Sequence, residues 1–458
     1  MYVLKRIGII LFFLISYFAF FQQPVQASND QLIIINKSTN KLAFFDSGKL
    51  IKVFNVATGK YDSYTPEGTF KIVNKIKNRP YYTMNIPGGD PRNPLGDRWL
   101  GLDARGTYGT TYAIHGNSNE SSIGKYVSSG CVRMHNNEVR WLFNQVNLYT
   151  TVIITNSGAT FEKIAIDHGY LDPNTLNKEL AQKAGNKLLS ELSTYNYAID
   201  SGSITKINSL YDRLTSQLRA TELAIGKVSG KSNRASLEEK YIKPSKIAIE
   251  RTIYEVSQYR LLNNVGSLIS KNNISAAENQ LSKLDRLKKR SIAIKKAGNY
   301  KALPVNIDRS LQALQATNQG NIMNTTLAQF NQKIASGHIG TINSQYDSFT
   351  NKLRATERAI GQVYGSANRN KLRDKYITPS KVAIERVIYE VSIYRLLHDI
   401  YWLIDDNKLV KAKNEFSTLD RLKRRAIEIK HAGGYKSVPN SISASLTSFE
   451  NRLRAKVN

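Results

Sequence analysis

Two textures divide the chain. From about residue 31 to 155 the apolar residues come in short runs: QLIIIN, KLAFF, LIKVFNVATG, GTFKIVNK, TTYAIHG and TTVIIT, separated by Gly, Pro, Asn and Asp. Short β-rich runs with turn residues between them predict a β-sandwich-like or barrel-like domain. One short helix is expected inside it. Asn136 or Asn137 can cap a turn opening NNEVRWLFNQV, which sets Val139, Leu142, Phe143 and Val146 on one face.

Residues 156–185 read as a linker with one short helix, and from 186 onward the pattern is helical and repeats itself. KYIKPSKIAIERTIYEVSQYRLL, from Lys240, returns as KYITPSKVAIERVIYEVSIYRLL from Lys375; RATELAIG at Arg219 returns as RATERAIG at Arg354. LDRLKKRSIAIKKAGNYK at Leu284 returns at Leu419, and all three matches share an offset of 135 residues. Two all-α repeats, 186–320 and 321–458, follow, each a bundle of three or four helices. In the first, Ile247, Tyr254, Leu261, Val265 and Leu268 form one apolar stripe, and Ile249, Ile253 and Val256 another. A helix apolar on two sides is expected to pack between neighbours. Pro244 and Pro379 are expected near helix starts or kinks.

Charge changes the picture. The formal net charge is +29, and 186–320 holds 22 Lys/Arg against 11 Asp/Glu, 321–458 holds 23 against 12. An excess kept through both copies points to a polyanionic partner. Lys5 and Arg6 precede an apolar run from Ile7 to Phe21, followed by PVQASND with Val25 and Ala27 as small residues before a cleavage point. That order predicts a signal peptide at 1–27, or else an uncleaved membrane anchor. Either way the chain is expected to be secreted and to work outside the cytoplasm, which disfavours nucleic acid and favours an acidic wall polymer.

The candidate chemistry centres on Cys131, the only cysteine. A lone thiol in an exported chain makes no internal disulfide, and its default reading is an inert core residue. Its neighbours argue otherwise. A β-run delivers His115, then Gly116, and fifteen residues separate His115 from Cys131 in SSGCVRM. A thiol attacks as the thiolate, so it needs a base or an imidazolium beside it. His135 lies four residues beyond Cys131 and is a weaker rival partner. His168, His338, His398 and His431 are scattered, and no cluster has metal-ligand spacing, so no metal or other cofactor is expected.

HGN, the spacer and SSGCVRM together resemble the signature of the L,D-transpeptidase catalytic domain, and TPEGTF at 65–70 and NPLGDRWLGL at 93–102 resemble two further runs of that family. The resemblance implies a β-rich catalytic domain at 31–155 with Cys131 as acylated nucleophile and His115 as general base and acid. It implies oxyanion-hole amides from Gly130 and Cys131, and Arg133 as a residue holding the donor stem peptide. Gly116 and Tyr112, beside His115, complete the candidate substrate contacts. Ser129 stands where the family most often has His, and its carbonyl is the expected orienter of His115. The implied reaction joins peptidoglycan stem peptides by 3→3 cross-links. L,D-carboxypeptidase action at the same site and a non-catalytic wall-polymer-binding protein are the alternatives. The repeats are similar in character to basic helical modules that anchor surface-layer proteins to acidic wall polymers, with a rigid spacer as the plainer alternative.

Overall fold

The structure, a computed structural model, describes residues 30–457. The expected signal peptide at 1–27 lies outside the described residues. The chain divides into two compact units, the first ending at Leu180 and the second beginning at Ala181.

The first unit holds strands β1 (Leu32–Asn36), β2 (Lys41–Asp46), β3 (Lys49–Asn55), β4 (Thr58–Gly59), β5 (Gly68–Lys77), β6 (Arg98–Leu102), β7 (Tyr112–His115), β8 (Tyr126–Ser128), β9 (Val132–Arg133) and β10 (Thr151–Thr155). Eight of them make one sheet in the order β3-β2-β1-β10-β5-β6-β7-β9, and β4 pairs with β8. The β1–β10 and β7–β9 pairs are parallel and the other pairs of the large sheet antiparallel. Because side chains alternate across a strand, the apolar run Leu32 to Ile35 of β1 has a reason: both its faces are covered. Ile33 and Ile35 join Phe44, Leu100, Ile114, Val132 and Val152 in the larger core. Leu32 and Ile34 join Phe45, Ile153, Ile164 and Leu171 in the smaller one.

Helix α1 (Asn136–Gln145) contributes Val139, Leu142 and Phe143 to the larger core, as the spacing predicts. Its start differs from expectation. Neither Asn136 nor Asn137 is the N-cap residue; His135 occupies that position, and the Glu120 carboxylate accepts the Asn136 amide at 3.1 Å. Helix α2 (Phe161–Asp167) buries Ile164 and Ala165 against the smaller core, so the first part of the expected linker is a layer of the β unit. After a turn at 168–172 the segment is helical again, because α3 (Pro173–Asp200) begins there and is continuous.

In the second unit, the first copy comprises the rest of α3, α4 (Ile204–Gly226), α5 (Lys231–Leu237), α6 (Lys243–Ser270), α7 (Ile274–Leu281) and α8 (Leu284–Ala297). Then come α9 (Val305–Ala335), α10 (Ile339–Gly361), α11 (Ser366–Leu372), α12 (Thr378–Glu385), α13 (Ile388–Asp405), α14 (Leu409–Gly433) and α15 (Asn440–Arg454). The boundary expected at 320/321 falls inside α9. That helix places Ile307 and Leu311 in the first copy's core and Met323, Phe330 and Ile334 in the second's. No helix among the described residues is long and apolar enough to cross a membrane.

Helix α6 packs centrally, as its two stripes suggest, but they are not quite the buried ones. Ile247 is 39% exposed, whereas Thr252 and Glu255 are buried. Both have partners inside: Tyr195 Oη lies 2.6 Å from Thr252 Oγ1, and Glu255 Oε1 accepts Ser291 Oγ at 2.5 Å and pairs with Lys295, while its Oε2 is buried without a partner. Paired polar groups can therefore take core positions that a hydropathy pattern assigns to solvent.

One contact recurs in both copies. Buried Tyr241 and Tyr376 each sit in a single π-helical turn just before a proline-bearing helix start, which places Pro244 and Pro379 where expected. Their rings lie against Gly185 and Gly320, and their hydroxyls donate to Asn186 at 3.0 Å and Asn321 at 2.8 Å. A Cβ at Gly185 would meet Tyr241 Cγ at 2.5 Å, and one at Gly320 would meet Tyr376 Cδ2 at 2.4 Å. Alanine gains helix propensity but overpacks this crossing. Gly185→Ala and Gly320→Ala should each destabilise the helical unit by about 1–3 kcal/mol, read as a lower thermal midpoint. Gly226→Ala, with open space around its Cβ, is the control that should not lower it.

Candidate active site

Strand pairing sets the site. Ile114 is in register with Val132 and His115 with Arg133. Ile114 and Val132 point into the core, so His115 and Arg133 emerge together on the opposite face. Trp99 is paired with His115 from the other side, and the two rings stack 5.5 Å apart at 16°. Cys131 immediately precedes β9 and is half-buried.

His115 is only 2% exposed. Its Nδ1 lies 2.6 Å from the Gly116 carbonyl. A carbonyl only accepts, so Nδ1 carries the proton and Nε2 is left as the base. The orienting carbonyl is thus that of Gly116, where Ser129 was expected; Ser129 is exposed in the loop and does not hold the ring. Burial pushes the His115 pKa down to about 4; the Gly116 and Leu95 carbonyls oppose the shift, and the Arg133 and Arg79 charges add to it. Gly116 has its own constraint: a Cβ there would lie 2.2 Å from Asn136 Oδ1.

The Cys131 thiol donates to the Thr111 carbonyl at 3.1 Å, and no hydrogen bond joins it to the His115 ring at rest. Burial pushes the thiol pKa up, against the Ala113 amide and the charges of Arg133 and Arg79, which lower it. The resting pair is therefore neutral thiol and neutral imidazole, rather than a thiol depressed by an imidazolium. A buried ring that cannot easily hold a proton is the cause.

Gly130 sits at φ +132°, and a Cβ would approach Tyr64 O at 2.8 Å and Tyr112 Cε1 at 3.0 Å. Its amide donates to Ser128 Oγ at 3.1 Å, which occupies one of the two expected oxyanion donors; the Cys131 amide makes no hydrogen bond within the described residues. Buried Ser128 also donates to the Cys131 carbonyl at 2.6 Å and so shapes the loop from inside. Tyr112 alternates with Ala113 and His115, packs on the core side behind Gly130, and takes a hydrogen bond from Arg105 at 3.0 Å. It is therefore a support of the loop. His135 is turned to the Glu120 carboxylate and away from the thiol.

Three contributors were not anticipated from sequence. Thr65 accepts the Gly59 amide at 2.8 Å and donates to the Gly130 carbonyl at 3.0 Å, tying the TPEGTF run to the nucleophile loop. Buried Lys37 pins that run through Asp62 at 2.8 Å and Glu67 at 2.9 Å. Arg79, just past β5, lies 3.8 Å over the Trp99 ring.

A family model of the L,D-transpeptidase catalytic domain matches residues 30–154, and one of the SbsC C-terminal domain matches 180–246 and 254–381. YqjB, an L,D-transpeptidase homologue of Bacillus subtilis, is 51% identical over 139 residues, covering 30% of this chain and 79% of that protein. The chain belongs to the L,D-transpeptidase family. YkuD of Bacillus licheniformis is 39% identical over 123 residues, 27% of this transpeptidase-family chain and 64% of its own length, so less than two thirds of that relative is spanned. Among solved structures, an L,D-transpeptidase of Xylanimonas cellulosilytica is 23% identical with a TM-score of 0.22, covering 28% of this chain and 62% of that one. The Ldtfm–avibactam carbamoyl enzyme is 20% identical with a TM-score of 0.23, covering 28% and 49%. Family membership rests on the YqjB match. The SbsC match falls on the repeats and agrees with their surface-layer-like character.

Two measurements follow for the site of this family member. The His115 ring should stay neutral down to about pH 4 by NMR titration, and iodoacetamide should alkylate Cys131 to half its limiting rate only above the free-thiol range of about 8.5. A ring titrating near 6.5 with a thiol reactive at pH 6 would show an ion pair instead. Thr65→Val should cost about 1–3 kcal/mol, because it leaves the Gly59 amide and Gly130 carbonyl unpaired, and should slow alkylation or acylation by misplacing the loop.

Proposed function

We propose that this chain is a secreted, cysteine-dependent peptidoglycan L,D-transpeptidase held at the cell wall by its helical unit. The observation that carries the catalytic part is the parallel β7–β9 pairing, which sets an imidazole oriented by the Gly116 carbonyl beside the Cys131 loop.

The donor is a tetrapeptide stem. Cys131 Sγ attacks the carbonyl of its third residue as the thiol proton passes to His115 Nε2. The Cys131 amide faces the developing oxyanion, joined by the Gly130 amide if substrate displaces Ser128 Oγ. Collapse expels the terminal D-alanine, whose amine takes the proton from His115, and leaves a thioester. The side-chain amine of a second stem then attacks the thioester, gives its proton to His115, and forms the 3→3 cross-link as the thiol leaves. Water in place of that amine gives L,D-carboxypeptidase action from the same thioester. A low His115 pKa suits both halves, because the ring is unprotonated before each attack.

For the helical unit, support comes from exposed charges that recur at equivalent positions of the two copies. Lys289 and Arg290 on α8 recur as Arg424 and Arg425 on α14; all four are exposed and none makes an ion pair among the described residues. Beside them Ile292 and Ile427 are 69% and 72% exposed. Exposed cations left without an ion-pair partner at equivalent positions of both copies suit an anionic wall polymer.

Incubating the full chain with tetrapeptide muropeptides should give a Cys131 acyl adduct by intact mass, absent in Cys131→Ala, and 3→3 dimers by muropeptide analysis. No adduct on the unaltered chain sinks the enzyme reading; tripeptides without dimers select carboxypeptidase action. Replacing Lys289, Arg290, Arg424 and Arg425 by Gln should weaken pull-down on purified walls, and high salt should do the same to the unaltered chain. Equal binding to walls stripped of anionic polymer would contradict the polymer reading.

A further inference from the structure

The loop after β5 brings to the site a guanidinium that the family signature does not assign. Arg79 Nη2 donates to the Thr110 carbonyl at 2.9 Å, and the next carbonyl along, that of Thr111, accepts the Cys131 thiol at 3.1 Å. Consecutive Cα atoms are about 3.8 Å apart, so the guanidinium and the sulfur are held by neighbouring peptides. The group also lies over the Trp99 ring, with Cζ 3.8 Å from its centroid, and Trp99 in turn stacks on His115. These contacts hold the guanidinium in place and use one of its terminal nitrogens. The other, Nη1, is buried and has no partner. Arg133 shows the same feature at Nε.

An unpaired buried guanidinium nitrogen is costly unless a ligand completes it, and its natural complement is a carboxylate. The donor supplies one at a defined place. In the scissile unit, the carbon under attack and the carboxylate carbon of the departing terminal residue are separated only by that residue's nitrogen and Cα, so they lie within about 4 Å of each other. A receptor for that carboxylate must therefore stand beside the sulfur. Arg79 and Arg133 are the cations whose charge is felt by both the thiol and the imidazole.

We propose that Arg79 is a specificity-determining residue of the donor site, whose Nη1 binds the terminal carboxylate of the residue that leaves when Cys131 is acylated. This rests on the donor reading given above. Arg79 forms no covalent bond and moves no proton. It makes the site selective for a donor with a free C-terminus, and its grip on Thr110 links that recognition to the peptide beside the nucleophile.

The test compares one tetrapeptide donor with its C-terminal amide in the full chain. Acylation of the unaltered protein should favour the acid over the amide by about 10- to 100-fold in kcat/KM, the range expected for one charge-assisted hydrogen bond. Arg79→Gln should bring the acid to within about threefold of the amide, whatever change in rate the lost charge imposes on both donors alike, and Arg79→Lys should keep part of the preference. A variant that slows both donors equally would show a role only in folding or in tuning the thiol, and would overturn the proposal. So would an unaltered protein that treats acid and amide alike. Calorimetry of both peptides on Cys131→Ala, with and without Arg79→Gln, reads the same preference without turnover. Acid-selective binding that needs Arg79 but comes with no acylation of the unaltered chain would remove the transpeptidase reading and leave this one standing. Binding with no acid preference removes this one alone.

Discussion

Two residues of β9 determine what the catalytic unit can do. Val132 must enter the core opposite Ile114, and once it does, side-chain alternation sends Arg133 out beside His115 and leaves Cys131 at the strand's threshold. A slip of one residue would bury the arginine and turn the valine to solvent. Burial of one valine therefore fixes the register of the nucleophile, and the surrounding contacts refine rather than create it. Gly130 makes the turn into that strand, Thr65 ties its carbonyl to the loop before β5, and Ser128 closes it from within.

Much of this was legible in the sequence, and the unread parts share a physical cause. Strand β7, which delivers His115, was readable as a local β-run, and Cys131 and His115 were singled out by the resemblance of HGN and SSGCVRM to a family signature, whereas the two-residue β9 was not among the runs read. The helical repeats were readable because 135 residues return without an insertion. What could not be read were contacts between segments distant along the chain. Thr65 and Gly130 are 65 positions apart, and Arg79 follows a strand in a Gly- and Pro-rich stretch with no periodicity. The orienter of His115 was misassigned for a subtler reason. Sequence places Ser129 near the cysteine, but only coordinates show that the carbonyl following the histidine itself folds back onto its ring.

The helical unit shows the same limit in another form. Its hydropathy stripes located α6 as a central helix but missed that Thr252 and Glu255 are buried there, since partners on α3 and α8 offset their desolvation. The Gly185–Tyr241 and Gly320–Tyr376 crossings were likewise invisible as a motif, because the glycine and tyrosine of each pair are 56 positions apart. A boundary drawn at 320/321 cuts α9, the helix that closes one core and opens the next. Sharing a helix in this way links the two cores through one continuous element, as nearest-neighbour repeats do.

On the proposed reading, electrostatics at half-buried Cys131 raise the question of how a neutral thiol can be the nucleophile at all. Two guanidiniums near the sulfur stabilise a thiolate, yet burial outweighs them and keeps the resting thiol protonated. The same burial leaves His115 a weak base with its ring already oriented. Deprotonation is therefore unfavourable until a donor arrives, excludes water and offers a carbonyl that can take up the negative charge as it forms. Charge then passes to an oxyanion next to the Cys131 amide instead of resting on sulfur. A thiol that stays protonated between encounters is also less open to oxidation, which attacks the thiolate. On the proposed reading of an exported enzyme, a raised resting pKa thus trades a slower first proton transfer for a longer-lived thiol.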